Sequence, residues 1–183
     1  MNQTALLVID VQQGAFNGEL IAPIERADSL IEHTVSLLQA ARAGGTPVIF
    51  VQHCEGPGEL FTKGTPHWEL HPALAPAVGE VVVQKTESSA FAGTNLASEL
   101  EAVKARTLIL CGLQSEFCVA NTAKAALSGG YSVVVVQDAH CTWPSEEQTA
   151  VAISEAVNQD LQNLGASLSS TAALIPPLRA AGT

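Results

Sequence analysis

Basic residues are scarce in this chain. Eight Lys and Arg stand against 18 Asp and Glu, for a formal net charge of −10. That balance argues against a nucleic-acid or anionic membrane partner, since both select basic patches. The first ten residues lack a basic segment and a long apolar one, so they read as a strand that starts at once and not as a signal peptide. No apolar run approaches the roughly 20 residues needed to span a bilayer. The four cysteines (Cys54, Cys111, Cys118, Cys141) form no Cys-x-x-Cys pair and no disulfide framework. Without a secretory signal they read as reduced thiols of a cytoplasmic protein. Internal repeats and low-complexity stretches are missing too. What remains is a globular chain of 183 residues, 47% apolar and 14% charged, expected to form a single domain over 1–183.

The apolar segments are short and regularly interrupted. Residues 5–9, 47–51, 81–84, 107–111 and 132–136 are continuous apolar or β-branched runs of the buried-strand type, and 166–169 is a possible sixth. Between them lie helical periodicities. Ala27, Leu30, Ile31, Val35, Leu38 and Ala41 recur at i, i+3, i+4 within 25–43, and Gly44-Gly45 ends that helix. Thr94 can cap a second helix with Leu96, Leu100 and Val103 inward. A third runs from Cys118 to Gly129-Gly130. Ser145 and Gln148 form a capping-box pattern ahead of a fourth, which buries Ala150, Ile153, Val157, Leu161 and Leu164. Residues 54–80, rich in proline and glycine, read as a long loop, and 176–183 as a loose tail. Alternating strands and helices with doubly apolar strands predict an α/β fold: a parallel sheet covered on both faces.

Ligands of such sheets bind beyond the carboxyl ends of the strands. The residues standing there are Asp10, His53, Lys85, Cys118, and Asp138 with His140. Cys118 falls in the first turn of a helix after a sharp bend from a strand. Free N–H groups and the helix dipole favour a thiolate there and can hold a developing oxyanion. A lysine ammonium stabilises a thiolate, and an aspartate can take the thiol proton and pass it to a leaving amine. A structural Asp10–Lys85 ion pair is the plainer alternative.

Three motifs occur in order: Ile-Asp-Val-Gln at 9–12, Lys85 followed by Ser-Ala-Phe-Ala-Gly-Thr at 89–94, and Gly-Leu-Gln-Ser-Glu-Phe-Cys-Val-Ala-Asn-Thr at 112–122. Together, across roughly 4–170, they resemble the isochorismatase-like cysteine hydrolases. The resemblance implies a three-layer α/β/α, Rossmann-like fold with a six-stranded, mostly parallel sheet. It implies a catalytic triad of Asp10, Lys85 and Cys118. It also implies a cis peptide at Leu113–Gln114 and an oxyanion hole from the backbone N–H groups of Gln114 and Cys118. With Cys118 present, it favours hydrolysis of a small amide-like C–N bond through an acyl-enzyme. The alternatives are vinyl-ether hydrolysis of isochorismate, which does not need the cysteine, and a non-enzymatic thiol protein.

No cofactor is implied, and the expected partners are a small-molecule substrate and further copies of the chain, as a dimer or larger homo-oligomer. Nicotinamidases of this family bind a metal through Asp-x-His after the second strand. Here that stretch is Val51-Gln52-His53, so no metal site is expected, and His53 becomes a pocket wall or substrate hydrogen-bonder. His67 and His71 flank Trp68 in a proline-bracketed loop that is expected to cover the pocket rather than bind metal. Phe16, Trp68, Phe91 and Phe117 are candidate pocket walls, and Gln12 a supporting residue behind them.

Overall fold

A computed structural model describes residues 3–181. Six strands form one sheet: β1 (Thr4–Ile9), β2 (Val48–His53), β3 (Val81–Lys85), β4 (Thr107–Leu113), β5 (Ser132–Cys141) and β6 (Ser167–Ser169). Their order is β3-β2-β1-β4-β5-β6, and every neighbouring pair is parallel. The order reverses between β1 and β4, which makes that gap the topological switch point where doubly wound sheets bind ligands.

The apolar strands are expected to be buried on both faces; β1, β2 and β4 are, whereas the edge strand β3 leaves Val82 exposed and β6 is no more than half-buried. Side chains alternate across a strand, so β1 sends Ala5, Leu7 and Ile9 to one layer and Leu6 and Val8 to the other. The first layer packs on α2 (Leu96–Ala102), α3 (Ala120–Ser128) and α4 (Ala150–Asn163) through residues such as Leu100, Ala123 and Leu161. The second packs on α1 (Ala27–Ala43) and α5 (Thr171–Ala180) through Leu37, Leu38 and Leu178.

Three local expectations shift. The cap of α4 is Thr149, whose hydroxyl accepts the Ala152 N–H at 3.2 Å, and not Ser145. Ser145 instead accepts the Gln148 N–H at 3.0 Å, closing a turn one step earlier. β5 runs on past Val136 because its pairing with β4 slips: Leu110 pairs with Val135, but Gly112 pairs with His140. This irregularity lets the strand bulge and continue to Cys141.

The tail expected to be loose from 176 is folded as far as it is described. Asp138 Oδ1 accepts the Thr171 N–H at 2.8 Å, and the Ser170 hydroxyl accepts the Ala173 N–H at 3.2 Å. These caps start α5, which carries Pro176 and Pro177 without breaking, and Leu178 buries itself against α1. Gly182 and Thr183 lie outside the described residues. The seat of α5 depends on the absence of a side chain at Gly44, where a Cβ would stand 1.7 Å from the Leu178 carbonyl oxygen. Gly44→Ala is therefore expected to lower stability by about 1–3 kcal/mol, the usual cost of overpacking, and thermal denaturation measures it. An unchanged melting temperature would show that α5 shifts freely on its support.

Candidate active site

Asp10 follows the end of β1 with a left-handed backbone, φ 52°, a conformation an aspartate tolerates better than most residues. Its backbone N–H still donates to the Val51 carbonyl at 2.9 Å, while its carboxylate turns into the switch-point crevice and is buried. Across the gap β4 ends at Leu113. The Leu113–Gln114 peptide is cis, and a π-helical turn, Ser115–Val119, leads into α3. Cys118 lies in that turn rather than in the first turn of an α-helix. Lys85, the last residue of β3, comes from the far side of β2.

The three side chains meet at one nitrogen. Lys85 Nζ lies 2.7 Å from Asp10 Oδ2, 3.1 Å from Cys118 Sγ, 3.0 Å from His53 Nδ1 and 3.2 Å from the Glu87 carbonyl. Three N–H donors thus face four acceptors. Because His53 Nδ1 accepts, the imidazole proton sits on Nε2. Burial holds the His53 imidazole below its ordinary pKa, and the Lys85 charge adds to that, so the ring is neutral. Burial pushes the Asp10 carboxyl up, against the pull of Lys85. The Asp10 charge in turn holds the Lys85 ammonium protonated, against the penalty of its burial.

The thiolate expected from the helix end is not the resting form. Burial and the Asp10 charge raise the Cys118 thiol to about 11, and Lys85 only partly offsets them. The free site therefore holds a neutral thiol beside a carboxylate placed to receive its proton.

The cavity at these residues measures about 350 Å³, near the small end for ligand pockets. His53 and Phe117 line it as expected, together with Gln114 and Leu113. Phe16, Trp68 and Phe91 do not. Phe16 packs edge-on to His71 with ring centroids 5.0 Å apart, Phe91 packs against Tyr131, and the Trp68 indole N–H donates to Cys54 Sγ at 3.2 Å. Their places are taken by Phe61 and Trp143, with Glu55, Thr86 and Ser88. Asp138 and His140 also stand away from the cavity, since β5 continues past them.

His67 pairs with Glu19 at 2.9 Å, while the His71 Nδ1 accepts the Ala73 N–H at 3.3 Å, so these two imidazoles serve separate contacts.

Two supports were only partly visible in the sequence. Gln12 is fully buried, and its side-chain amide accepts the His53 N–H at 2.8 Å and donates to the His53 carbonyl at 3.0 Å and the Trp68 carbonyl at 2.7 Å. It thereby ties the end of β2 to the long loop. Under the cysteine turn, His140 Nε2 donates to Asn158 Oδ1 at 2.9 Å. Its Nδ1 therefore accepts the Ser115 hydroxyl at 2.8 Å, and Ser154 lies 3.0 Å from Ser115. This buried polar chain, with every member partnered, anchors the turn that carries Cys118.

Comparison with known proteins bears on this arrangement. The model of the isochorismatase domain family matches residues 4–172. A streptothricin hydrolase of Streptomyces noursei is 42% identical over 139 residues, covering 76% of this chain and 50% of the relative. The chain thus spans about half the length of the streptothricin hydrolases it matches. The ureidoacrylate amidohydrolase RutB of Agrobacterium fabrum is 28% identical over 172 residues, covering 75% of each chain. Among solved structures, an isochorismatase family protein from Desulfovibrio vulgaris superposes with a TM-score of 0.85 at 30% identity, covering 97% of this chain and 99% of its own.

Proposed function

The chain belongs to the isochorismatase family, and from that premise we propose that it is a cysteine-dependent hydrolase of small amide-like C–N bonds. The observation that carries this reading is that Asp10 and Cys118 line one cavity while the buried Lys85 Nζ behind them reaches both, Asp10 at 2.7 Å and Cys118 at 3.1 Å. The names of the streptothricin hydrolase and ureidoacrylate amidohydrolase relatives agree with it.

The proposed course uses each group once in each direction. The Cys118 S–H proton passes to the Asp10 carboxylate as sulfur attacks the substrate carbonyl carbon. Lys85 stabilises the charge that develops on sulfur. The carbonyl oxygen becomes an oxyanion, held by the backbone N–H groups of Gln114 and Cys118 at the head of the turn. Asp10 then protonates the leaving nitrogen, the C–N bond breaks, and an acyl thioester remains on Cys118. Water attacks the thioester, giving a proton to Asp10. The C–S bond breaks, the acid departs, and Cys118 recovers its proton.

Cys118→Ala is expected to lower amide turnover by about 10⁴-fold or more, with the melting temperature and circular dichroism retained. Ammonia or amine release, with mass spectrometry for an adduct on Cys118, measures it. Full activity of Cys118→Ala would sink the covalent mechanism. Isochorismate cleavage lost in Asp10→Ala but kept in Cys118→Ala would establish the vinyl-ether alternative.

A further inference from the structure

The charged residues that line the cavity are both acidic. Asp10 is neutralised by Lys85, but Glu55 is not. Glu55 Oε2 accepts the Phe61 N–H at 2.6 Å, which fixes the carboxylate in place. Its other oxygen points toward His53 Nε2 at 3.6 Å, too far for a full hydrogen bond. The His53 imidazole stands between Glu55 and the Lys85 ammonium, and being neutral it passes no positive charge across. Glu55 therefore brings an uncompensated negative charge to the cavity, with its side chain 29% exposed.

Among the described residues no Lys or Arg lines this space, and the remaining large walls are the rings of Phe61, Phe117 and Trp143. Phe117 is 54% exposed, and the Trp143 indole is pinned by its N–H to the Ala22 carbonyl at 2.7 Å. A fixed carboxylate with several aromatic rings is the combination that binds ammonium and guanidinium groups: the carboxylate supplies charge-assisted hydrogen bonds, and the rings supply cation–π attraction. The net charge of −10 adds a long-range field of the same preference.

We infer that the cavity recognises a cationic group, an alkylammonium or guanidinium borne by the substrate, through the Glu55 carboxylate and the rings of Phe61, Phe117 and Trp143. That the cation belongs to an amide substrate rests on the hydrolase reading; the cation site itself does not. Carboxylate-bearing substrates meet an unpaired anion and no free cation here, and are discriminated against.

The test separates binding from turnover. n-Butylguanidinium, n-butyramide and butyrate are titrated into the wild-type protein, following the Trp143 indole N–H by nuclear magnetic resonance. The Trp68 indole, outside the cavity, is the internal reference. Guanidinium is expected to bind about tenfold or more tighter than butyramide, with butyrate weakest, since a charge-assisted contact and a cation–π contact are each of the order that gives such a factor. Glu55→Gln, whose amide oxygen can still accept the Phe61 N–H, is expected to shrink the guanidinium-to-butyramide preference to about threefold or less. Phe117→Ala, at an exposed position, is expected to weaken guanidinium binding alone by about threefold. Butyrate binding as tightly as guanidinium, or a preference unmoved by Glu55→Gln, would overturn the inference. Guanidinium selectivity in a protein that cleaves no amide would keep the cation site and remove the hydrolase reading. Cleavage of neutral amides without guanidinium selectivity would do the reverse.

Discussion

Asp10→Asn is expected to make Cys118 more reactive toward a small electrophile and yet nearly abolish amide turnover. The two effects have one origin. The Asp10 charge helps hold the Cys118 thiol up near 11, while Lys85 pulls it down. Asparagine removes the first influence and keeps the second, so the thiol pKa falls and more thiolate exists at neutral pH. Alkylation of Cys118 by iodoacetamide, resolved from the other cysteines by mass spectrometry, should speed up. Turnover should drop by about 10²–10⁴-fold, because no group is left to carry the proton to the leaving nitrogen. The same change leaves the Lys85 ammonium buried without its counter-ion, and breaking a buried pair by removing one partner costs about 3–5 kcal/mol. Alkylation slowing in step with turnover would show that Asp10 activates the thiol in the resting site, against the charge balance described above.

The second large effect is expected at Gly112, through the backbone. Its φ is 122°, and a Cβ there would stand 2.0 Å from the carbonyl oxygen of Ile9, the residue it pairs with on β1. Neither strand can give way cheaply, since Ile9 and Leu110 are fully buried. Gly112→Ala combines a strained backbone with overpacking and is expected to cost at least about 3 kcal/mol. For a domain of this size that is a fall in melting temperature of about 6–12 °C. The clash falls one residue before Asp10 on one strand and two residues before Gln114 on the other, so remaining folded protein should lose activity too. Denaturant unfolding and thermal melts measure the first effect, and turnover per folded molecule the second. A variant as stable as wild type would show that β1 and β4 can separate by more than their packing suggests.

Much of this was legible in the sequence because single residues carried it. Doubly apolar runs gave the strands, the Gly44-Gly45 pair ended α1, the first charged residue after two of the runs was Asp10 and Lys85, and the bend from strand to helix pointed to Cys118. The walls of the cavity were legible only in part, at His53 and Phe117. Phe61 and Trp143 arrive on loops, where no periodicity says which way a ring turns, and composition alone gave Phe16, Trp68 and Phe91 an equal claim. His140 was misplaced for a different reason: the end of β5 depends on a slipped pairing with β4, and register between strands leaves no trace in either strand alone. The state of the thiol also lay beyond reading. It is set by how deeply Cys118 is buried and how near Asp10 stands, which are properties of distance and not of residue type.

Lys85 Nζ touches both the donor and the acceptor of the first proposed proton transfer. When the proton crosses from sulfur to the carboxylate, the negative charge moves from one neighbour of the ammonium to another. The total charge around that nitrogen is the same before and after. No counter-ion has to enter or leave, and little solvent has to reorient, so the step is close to isoelectric as the rest of the protein sees it. A site arranged this way can cycle in a nearly dry crevice, and ionic strength should act on how substrate arrives far more than on what happens to it afterwards.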